Sequence, residues 1–149
     1  MAIARGAGTE ILRCHHFENC ANTVVKLIRG VQHHVYTVLS VVIYANNTSG
    51  TEVGRLAIQG YDSLEGTTDN IIYLAKVDLP TYSTFVFNDK FSFNGHEPTN
   101  FTGPMDDAAK QDAIADQGNA SVHQYLRYAT DGANTKHDIT VTFIDQNNE

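Results

Sequence analysis

Hydrophobic and polar residues alternate with a period of two along much of the chain, which is the spacing of half-buried β-strands. Ile139, Val141 and Phe143 alternate with threonines near the C-terminal end, and similar alternation covers residues 24–28, 56–61 and 71–79. Turn residues separate these segments at short intervals. The pattern therefore predicts an all-β fold, built as an antiparallel β-sandwich or barrel.

The segment from Val35 to Tyr44 differs from the others, because apolar and β-branched residues occupy both of its faces. We expect such a strand at the centre of a sheet, with one face on the core and the other against a second element or subunit. We therefore predict an intersubunit interface on one side of this strand. The residues assigned to it are Tyr36, Val38, Val42 and Tyr44.

Two phenylalanine-rich runs, 85–87 and 91–93, flank Asn88-Asp89. This pair predicts either a two-residue hairpin turn or a bulge. If one strand continues through the pair, its four phenylalanines largely share a face with Tyr82. Core packing is the expected role of aromatic residues at this density.

Two segments between the strands carry turn and helix signals. Asp131-Gly132 predicts a final hairpin between strands at 125–129 and 138–144. Residues 104–117 begin with proline and are rich in Ala, Asp and Gln, which predicts a short helix. This helix would be an insertion in a long loop covering residues 94–119.

The composition fits one globular domain, since 149 residues with 42% hydrophobic content lie within the usual domain size of about 100–200 residues. We predict a single domain over residues 1–149, with an extended N-terminal arm at 1–10 that can add a strand to a neighbouring sheet. The net charge of −7, with 10 scattered Lys and Arg, argues against nucleic acid and anionic membranes as partners. We find no membrane helix and no signal peptide in the sequence, and we expect synthesis in a cytoplasm.

Cysteine and histidine are the residues that raise the question of a metal site. Cys14, His16, Cys20 and the pair His33-His34 lie in the first quarter of the chain. Cys14 and His16 would share a face of an extended strand, but the spacing matches no standard zinc finger or ribbon. We expect no metal and no cofactor, with the cysteines as reduced core or interface residues and the histidines as polar positions at strand edges. A structural zinc and a calcium bound by loop carboxylates are the less favoured alternatives.

Catalytic motifs are not found in the sequence, which contains no G-x-S-x-G, P-loop or H-E-x-x-H pattern. A nucleophilic Cys–His pair would need an oriented base and a setting that favours the thiolate. We predict a protein that is not an enzyme, with no catalytic residues. An enzyme of the cupin kind is a weaker alternative, because no Glu follows His33-His34 at the spacing typical of such metal sites.

The order of features resembles a family of small virion proteins. A polar start, Ala2 to Gly6, precedes the apolar strand that ends in Ala45 to Gly50, and a "Thr-Phe-Val" strand at 84–86 and a closing strand at 137–144 follow. This order resembles the small β-sandwich decoration (cement) and tail-accessory proteins of tailed bacteriophages. The insertion at 94–119 is not part of the common pattern.

The resemblance implies a jelly-roll-like sandwich and a structural role in the virion, after synthesis in the cytoplasm of a bacterial host. The implied function is capsid decoration, by a homo-oligomer (a trimer is expected) that bridges the major capsid protein or other virion proteins. Ile3 and Arg5 of the arm are included in the predicted interface. The alternative is a tail, baseplate or fibre component with a receptor- or glycan-binding role.

Overall fold

The structure is a computed structural model that describes residues 9–46, 50–99, 106–109, 111, 121–133 and 135–148. The strands of these residues pair in antiparallel fashion throughout. The prediction of an all-β protein is confirmed. The strands are β1 (Thr9–Cys20), β2 (Val25–Arg29), β3 (His34–Ala45), β4 (Glu52–Asp62), β5 (Thr67–Leu79), β6 (Thr84–Phe87), β7 (Phe91–Asn94), β8 (His96–Pro98), β9 (Ser121–His123), β10 (Tyr125–Thr130) and β11 (His137–Asn147).

The strands form two large sheets and one small one. Sheet A has the order β1-β11-β3, and β6 and β7 both pair with the free side of β3. Sheet B has the order β2-β10-β4-β5, and β8 pairs with β9. Sheets A and B contribute to one hydrophobic core, so they pack face to face. Its fully buried side chains include Ile43, Val141 and Phe143 of sheet A and Leu56, Leu126 and Tyr128 of sheet B.

β3 is the central strand of sheet A, as predicted from its two apolar sides. Its pairing with β11 shifts by one residue, and Leu39 is the extra residue. A bulge of this kind reverses which residues face the core. Tyr36 and Val38 before the bulge and Val41 and Ile43 after it are therefore all in the core. The expectation that residues 36, 38, 42 and 44 share one face is wrong for this reason.

The hairpin predicted at Asp131-Gly132 is wrong, and at Asn88-Asp89 the structure fits the bulge alternative and not the hairpin turn. β10 belongs to sheet B and β11 to sheet A, so residues 131–136 cross between the sheets and do not close a hairpin. β6 and β7 pair with successive parts of β3, so Asn88-Asp89 interrupts one edge strand. The phenylalanines of both short strands pack against the core, whereas Tyr82 is 69% exposed.

Most of the predicted helix at 104–117, residues 104–105, 110 and 112–117, lies outside the described residues, and within the described part Ala108, Ala109 and Gln111 are helical. Gln111 N donates a hydrogen bond to Asp107 O at 3.2 Å. Residues 1–8 of the predicted arm also lie outside, while Thr9 and Glu10 begin β1. Among the described residues, no helix has the length and apolar character needed to span a membrane.

Candidate interaction surface

The outer face of sheet A is formed by residues that alternate with the core residues along each strand. The register of β1, β11, β3, β6 and β7 aligns these outer residues in rows across the sheet. Three successive rows contain no Asp, Glu, Lys or Arg, and we call these eleven residues the neutral face. The rows are Leu12, Ile144, Thr37 and Ser92; then Cys14, Thr142 and Ser40; then His16, Thr140, Val42 and Val86.

Charged residues lie at the two ends of the neutral face. Glu10 lies beyond the first row, opposite Gln146 of β11. Asp138 lies beyond the third row, opposite Tyr44 of β3, and its Oδ1 accepts a hydrogen bond from Asn19 N at 3.0 Å. Removing hydroxyl and apolar side chains from water costs much less than removing charges. The neutral face can therefore be covered by another molecule at low desolvation cost.

The structure separates the residues of the predicted interface. Val42 belongs to the neutral face, between Thr140 and Val86, and Tyr44 lies one row further along β3. Tyr36 and Val38 are 2% and 0% exposed and belong to the core. Ile3 and Arg5 lie outside the described residues. Contact of Val42 and Tyr44 with a partner stays a prediction.

Cys14 and His16 do share a face of β1, as expected for an extended strand. Cys14 Sγ lies 3.9 Å from His16 Nε2, and His16 Nδ1 lies 3.0 Å from Thr140 Oγ1. The hydroxyl of Thr142 donates a hydrogen bond to Cys14 Sγ at 3.5 Å. The two threonines are contacts that the sequence analysis missed. Their alternation with the core residues of β11 was the available signal, since it placed both side chains on the outer face.

The second cysteine has a different environment. Cys20 is 4% exposed, and burial, together with the nearby charge of Asp138, raises the pKa of its thiol to about 11. Cys14 is exposed, and both thiols are free. In the described ranges no group of three or more His, Cys, Asp and Glu side chains is placed to hold a metal ion.

A cleft of about 320 Å³ opens between the edge strands β1 and β2. Asp145 lines this cleft, is 7% exposed, and lies 3.1 Å from Arg13 Nε and 2.6 Å from His34 Nδ1. Phe17 and Phe143 supply apolar walls. The buried carboxylate is thus already paired within the chain.

Loop carboxylates were the basis of the calcium alternative, and Asp62 has a local structural role. Its Oδ1 accepts hydrogen bonds from Leu64 N at 2.9 Å and Glu65 N at 3.2 Å. This is the pattern of an Asp side chain that stabilises a turn. Asp62 therefore stabilises the β4–β5 turn.

One histidine lies inside the sandwich. His137 is fully buried on the inner side of β11, and its Nδ1 lies 2.6 Å from Tyr128 Oη of sheet B. Burial lowers the pKa of His137 and raises the pKa of Tyr128. Both side chains are therefore held neutral near pH 7. Their hydrogen bond links the two sheets through the core.

A second pair of histidines lies on the small sheet. His96 and His123 are opposite each other on β8 and β9, with ring centroids 5.4 Å apart. Burial is the main cause that lowers the pKa of each ring, and the positive charge of neighbouring groups lowers it further. The pair is therefore more easily kept neutral than an exposed histidine.

The comparisons with known proteins give low similarity. No protein-family model and no curated protein matches the sequence. Among solved structures, the chain is similar to one from work on Bacillus endospore appendages, described as disulfide-linked pili, with a TM-score of 0.44 and 11% identity, covering 100% of this chain and 97% of that one.

Chains from infectious bursal disease virus also match. A chain of its T13 particle has a TM-score of 0.36 and 11% identity, and one of its T=1 particles has 0.39 and 9%. Each match covers 99% of this chain but only 37% and 38% of the viral chains, so this chain spans little more than a third of their length. These scores are too low to carry a conclusion about function.

Proposed function

We propose that this protein is a non-enzymatic structural subunit that assembles with copies of itself through the neutral face. The observation that carries the proposal is the absence of charge across three rows of a five-stranded sheet, in a chain whose net charge is −7. Two chains with this net charge repel each other at long range. Contact through the neutral face places no Asp, Glu, Lys or Arg side chains of two copies opposite each other. Depletion of charged residues is also typical of interface cores.

We infer a jelly-roll connection of the strands from their pairing order. β1 pairs with β11, β2 with β10, β3 with β6 and β7, and β4 with β5. In a jelly roll, strands from the two ends of the chain pair with each other from the outside inward, and these pairs alternate between the two sheets. Here the first and third pairs lie in sheet A, and the second and fourth lie in sheet B. Double-sheet jelly rolls occur in capsid proteins, lectins and cupins, so the fold leaves the function open. The neutral face favours assembly among these roles.

The setting we propose is the virion of a tailed bacteriophage, and the sequence resemblance supports this proposal. The specific role is that of a capsid decoration (cement) protein, made in the host cytoplasm, that forms a homo-oligomer (a trimer in our proposal). Its partner would be the major capsid protein or another virion protein. The hydroxyl side chains of the neutral face suit this role, because they can form water-mediated hydrogen bonds across an interface.

A second candidate is a tail, baseplate or fibre component that binds a receptor or glycan. The observation that favours it is the cleft between β1 and β2, which combines the aromatic walls of Phe17 and Phe143 with the polar groups of Arg13 and Asp145. Titration with a glycan panel, followed by NMR, tests this candidate. Shifts confined to the cleft would favour it over capsid decoration.

The experiment that tests the main proposal has two parts. Sedimentation equilibrium of the purified protein measures self-association, and co-sedimentation with undecorated phage capsids measures binding to a shell. We expect an oligomer that co-sediments. A stable monomer that leaves capsids unbound would contradict the proposal.

A further inference from the structure

We propose that Cys14 and His16 form half of a zinc site, which a second copy of the chain completes with its own Cys14 and His16. This inference rests on the proposed self-association through the neutral face, because it requires two neutral faces to meet. It puts a two-fold pair in place of the trimer of the proposed setting. It departs from the expectation of no metal, since the contacts that support it are visible only in the folded chain.

The geometry of the two side chains suits a shared zinc ion. Zinc binds sulfur at about 2.3 Å and imidazole nitrogen at about 2.0–2.1 Å, so two such ligands at a tetrahedral angle lie about 3.6 Å apart. Cys14 Sγ and His16 Nε2 are 3.9 Å apart, within a few tenths of an ångström of that value. Both side chains are exposed, which leaves the position between them accessible to an ion.

Two residues of the neighbouring strand hold these ligands in place. His16 Nδ1 is in hydrogen-bond range of Thr140 Oγ1, at 3.0 Å, and a proton on Nδ1 leaves the Nε2 lone pair facing Cys14. Metal-binding histidines usually have such a partner on the other ring nitrogen. The Thr142 hydroxyl donates to Cys14 Sγ at 3.5 Å, and this hydrogen bond holds the sulfur on the side of His16.

The site is incomplete in one chain. Structural zinc takes four protein ligands, and the neutral face supplies two. Sheets that pack face to face lie about 10 Å apart, a gap that Cys and His side chains from both sides can span around one ion. A two-fold contact presents the same residues from each copy, so it supplies the missing Cys14 and His16. On binding, zinc displaces the proton of each thiol into solvent.

Zinc binding to the purified chain tests the proposal. The metal-free, reduced protein is titrated with zinc chloride, native mass spectrometry counts the ions, and light scattering gives the mass. We expect one zinc per two chains together with a dimer contact that chelation weakens. Cobalt in place of zinc should give the absorption of a tetrahedral site with thiolate ligands.

Substitutions separate ligands from supporting residues. Cys14→Ser and His16→Ala should each abolish zinc-dependent association. Thr142→Val should weaken zinc binding about tenfold while keeping one ion per two chains, as loss of a supporting hydrogen bond does. His123→Ala, which changes a histidine of the small sheet, is the matched control and should bind zinc normally.

Several results would overturn the zinc site. These are one zinc per monomeric chain, no zinc binding, or unchanged binding in Cys14→Ser. A disulfide between two Cys14 residues that excludes zinc would overturn it as well. Metal-free association through the neutral face would in that case still support the proposed function, whereas a monomer with and without zinc would contradict both.

Discussion

The outer faces of the two sheets are built for different surroundings. Sheet B carries five of the chain's ten Lys and Arg residues on its outer face, while the three central rows of sheet A carry none. Both sheets cover the same core, so packing of the core does not explain why their outer faces differ in charge. The five basic residues are Lys26, Arg29, Arg55, Lys76 and Arg127.

Arg55, Arg127 and Lys26 of sheet B have partners within the chain. Arg55 Nη1 lies 2.6 Å from Asp131 Oδ1, and Arg127 donates to Gln59 Oε1 at 2.8 Å. Lys26 Nζ lies 4.3 Å from the centre of a tyrosine ring. A face of this kind is stable in water. This difference supports the proposal that sheet A, rather than sheet B, contacts another molecule.

The largest expected effect tests which side of β3 is the surface. Val41 is fully buried, so Val41→Asp places an unpaired charge in the core and should prevent folding, at a cost of about 4 kcal/mol or more. Val42→Asp places the same charge on the neutral face and should leave the chain folded. Circular dichroism and urea denaturation measure both. A folded Val41→Asp variant would contradict the assigned register of β3.

The second prediction compares the effect on self-association of the same charge placed on the outer face of each sheet. Val42→Asp should weaken self-association at least tenfold, or about 1.4 kcal/mol, because the charge must be desolvated in the contact. Ala129→Asp is the matched control, since it adds the same charge to sheet B opposite Arg55. Analytical ultracentrifugation measures both dissociation constants. Equal weakening by the two variants would show that the neutral face has no special part in association.

Acid pH tests the buried side of sheet A separately from its outer side. The folded protein holds the pKa of His137 below its ordinary value of 6.5, so the unfolded chain takes up the proton more readily. Stability is then fully present above pH 6.5 and falls as the pH drops below it. His96 and His123 contribute in the same direction.

Urea denaturation at pH 7.5 and pH 5 measures this loss. His137→Gln should reduce the difference between the two midpoints, because glutamine does not take up a proton. Thr142→Val changes an outward residue of the same strand that takes up no proton, so it should leave the difference unchanged. An equal response of the two variants would rule out the buried histidine as the cause.

The smallest effect concerns the charged surface of sheet B. Arg55→Gln removes an ion pair whose side chains are 34% and 41% exposed, so solvent screens most of the attraction. The expected loss of stability is less than about 1 kcal/mol, and self-association should not change. Thermal denaturation and ultracentrifugation measure the two quantities. A marked loss of association would give sheet B a role in assembly.

The sequence pattern predicted the strands whose inner residues are apolar. β4 and β11 follow regular alternation, and their inner residues were identified from it. β3 was identified as an apolar strand, but Tyr36 and Val38 were assigned to the interface and lie in the core. The bulge at Leu39 was not predictable, because an extra residue in one strand shows only in its pairing with another. β1 was missed as a strand because Arg13 and His15 occupy its inner side. Arg13 donates a hydrogen bond to Asp145, and His15 lies within hydrogen-bond distance of the Leu27 carbonyl. Both partners are distant in sequence.

The neutral face could be predicted only in part. Val42 was identified from the apolar strand, but the threonines of β11 appear in the sequence only as solvent-facing positions. The absence of charge becomes visible when the register brings β1, β11, β3, β6 and β7 side by side. A surface shared by strands from both ends of the chain cannot be recognised one strand at a time.

Self-association through one face of sheet A is tested most directly by the mass of the protein in solution. Sedimentation equilibrium of the wild type, Val42→Asp and Ala129→Asp at matched concentrations gives the comparison. We predict an oligomer for the wild type and Ala129→Asp, and a folded monomer for Val42→Asp. A wild-type monomer at every concentration, or an unchanged oligomer in Val42→Asp, would contradict the assignment.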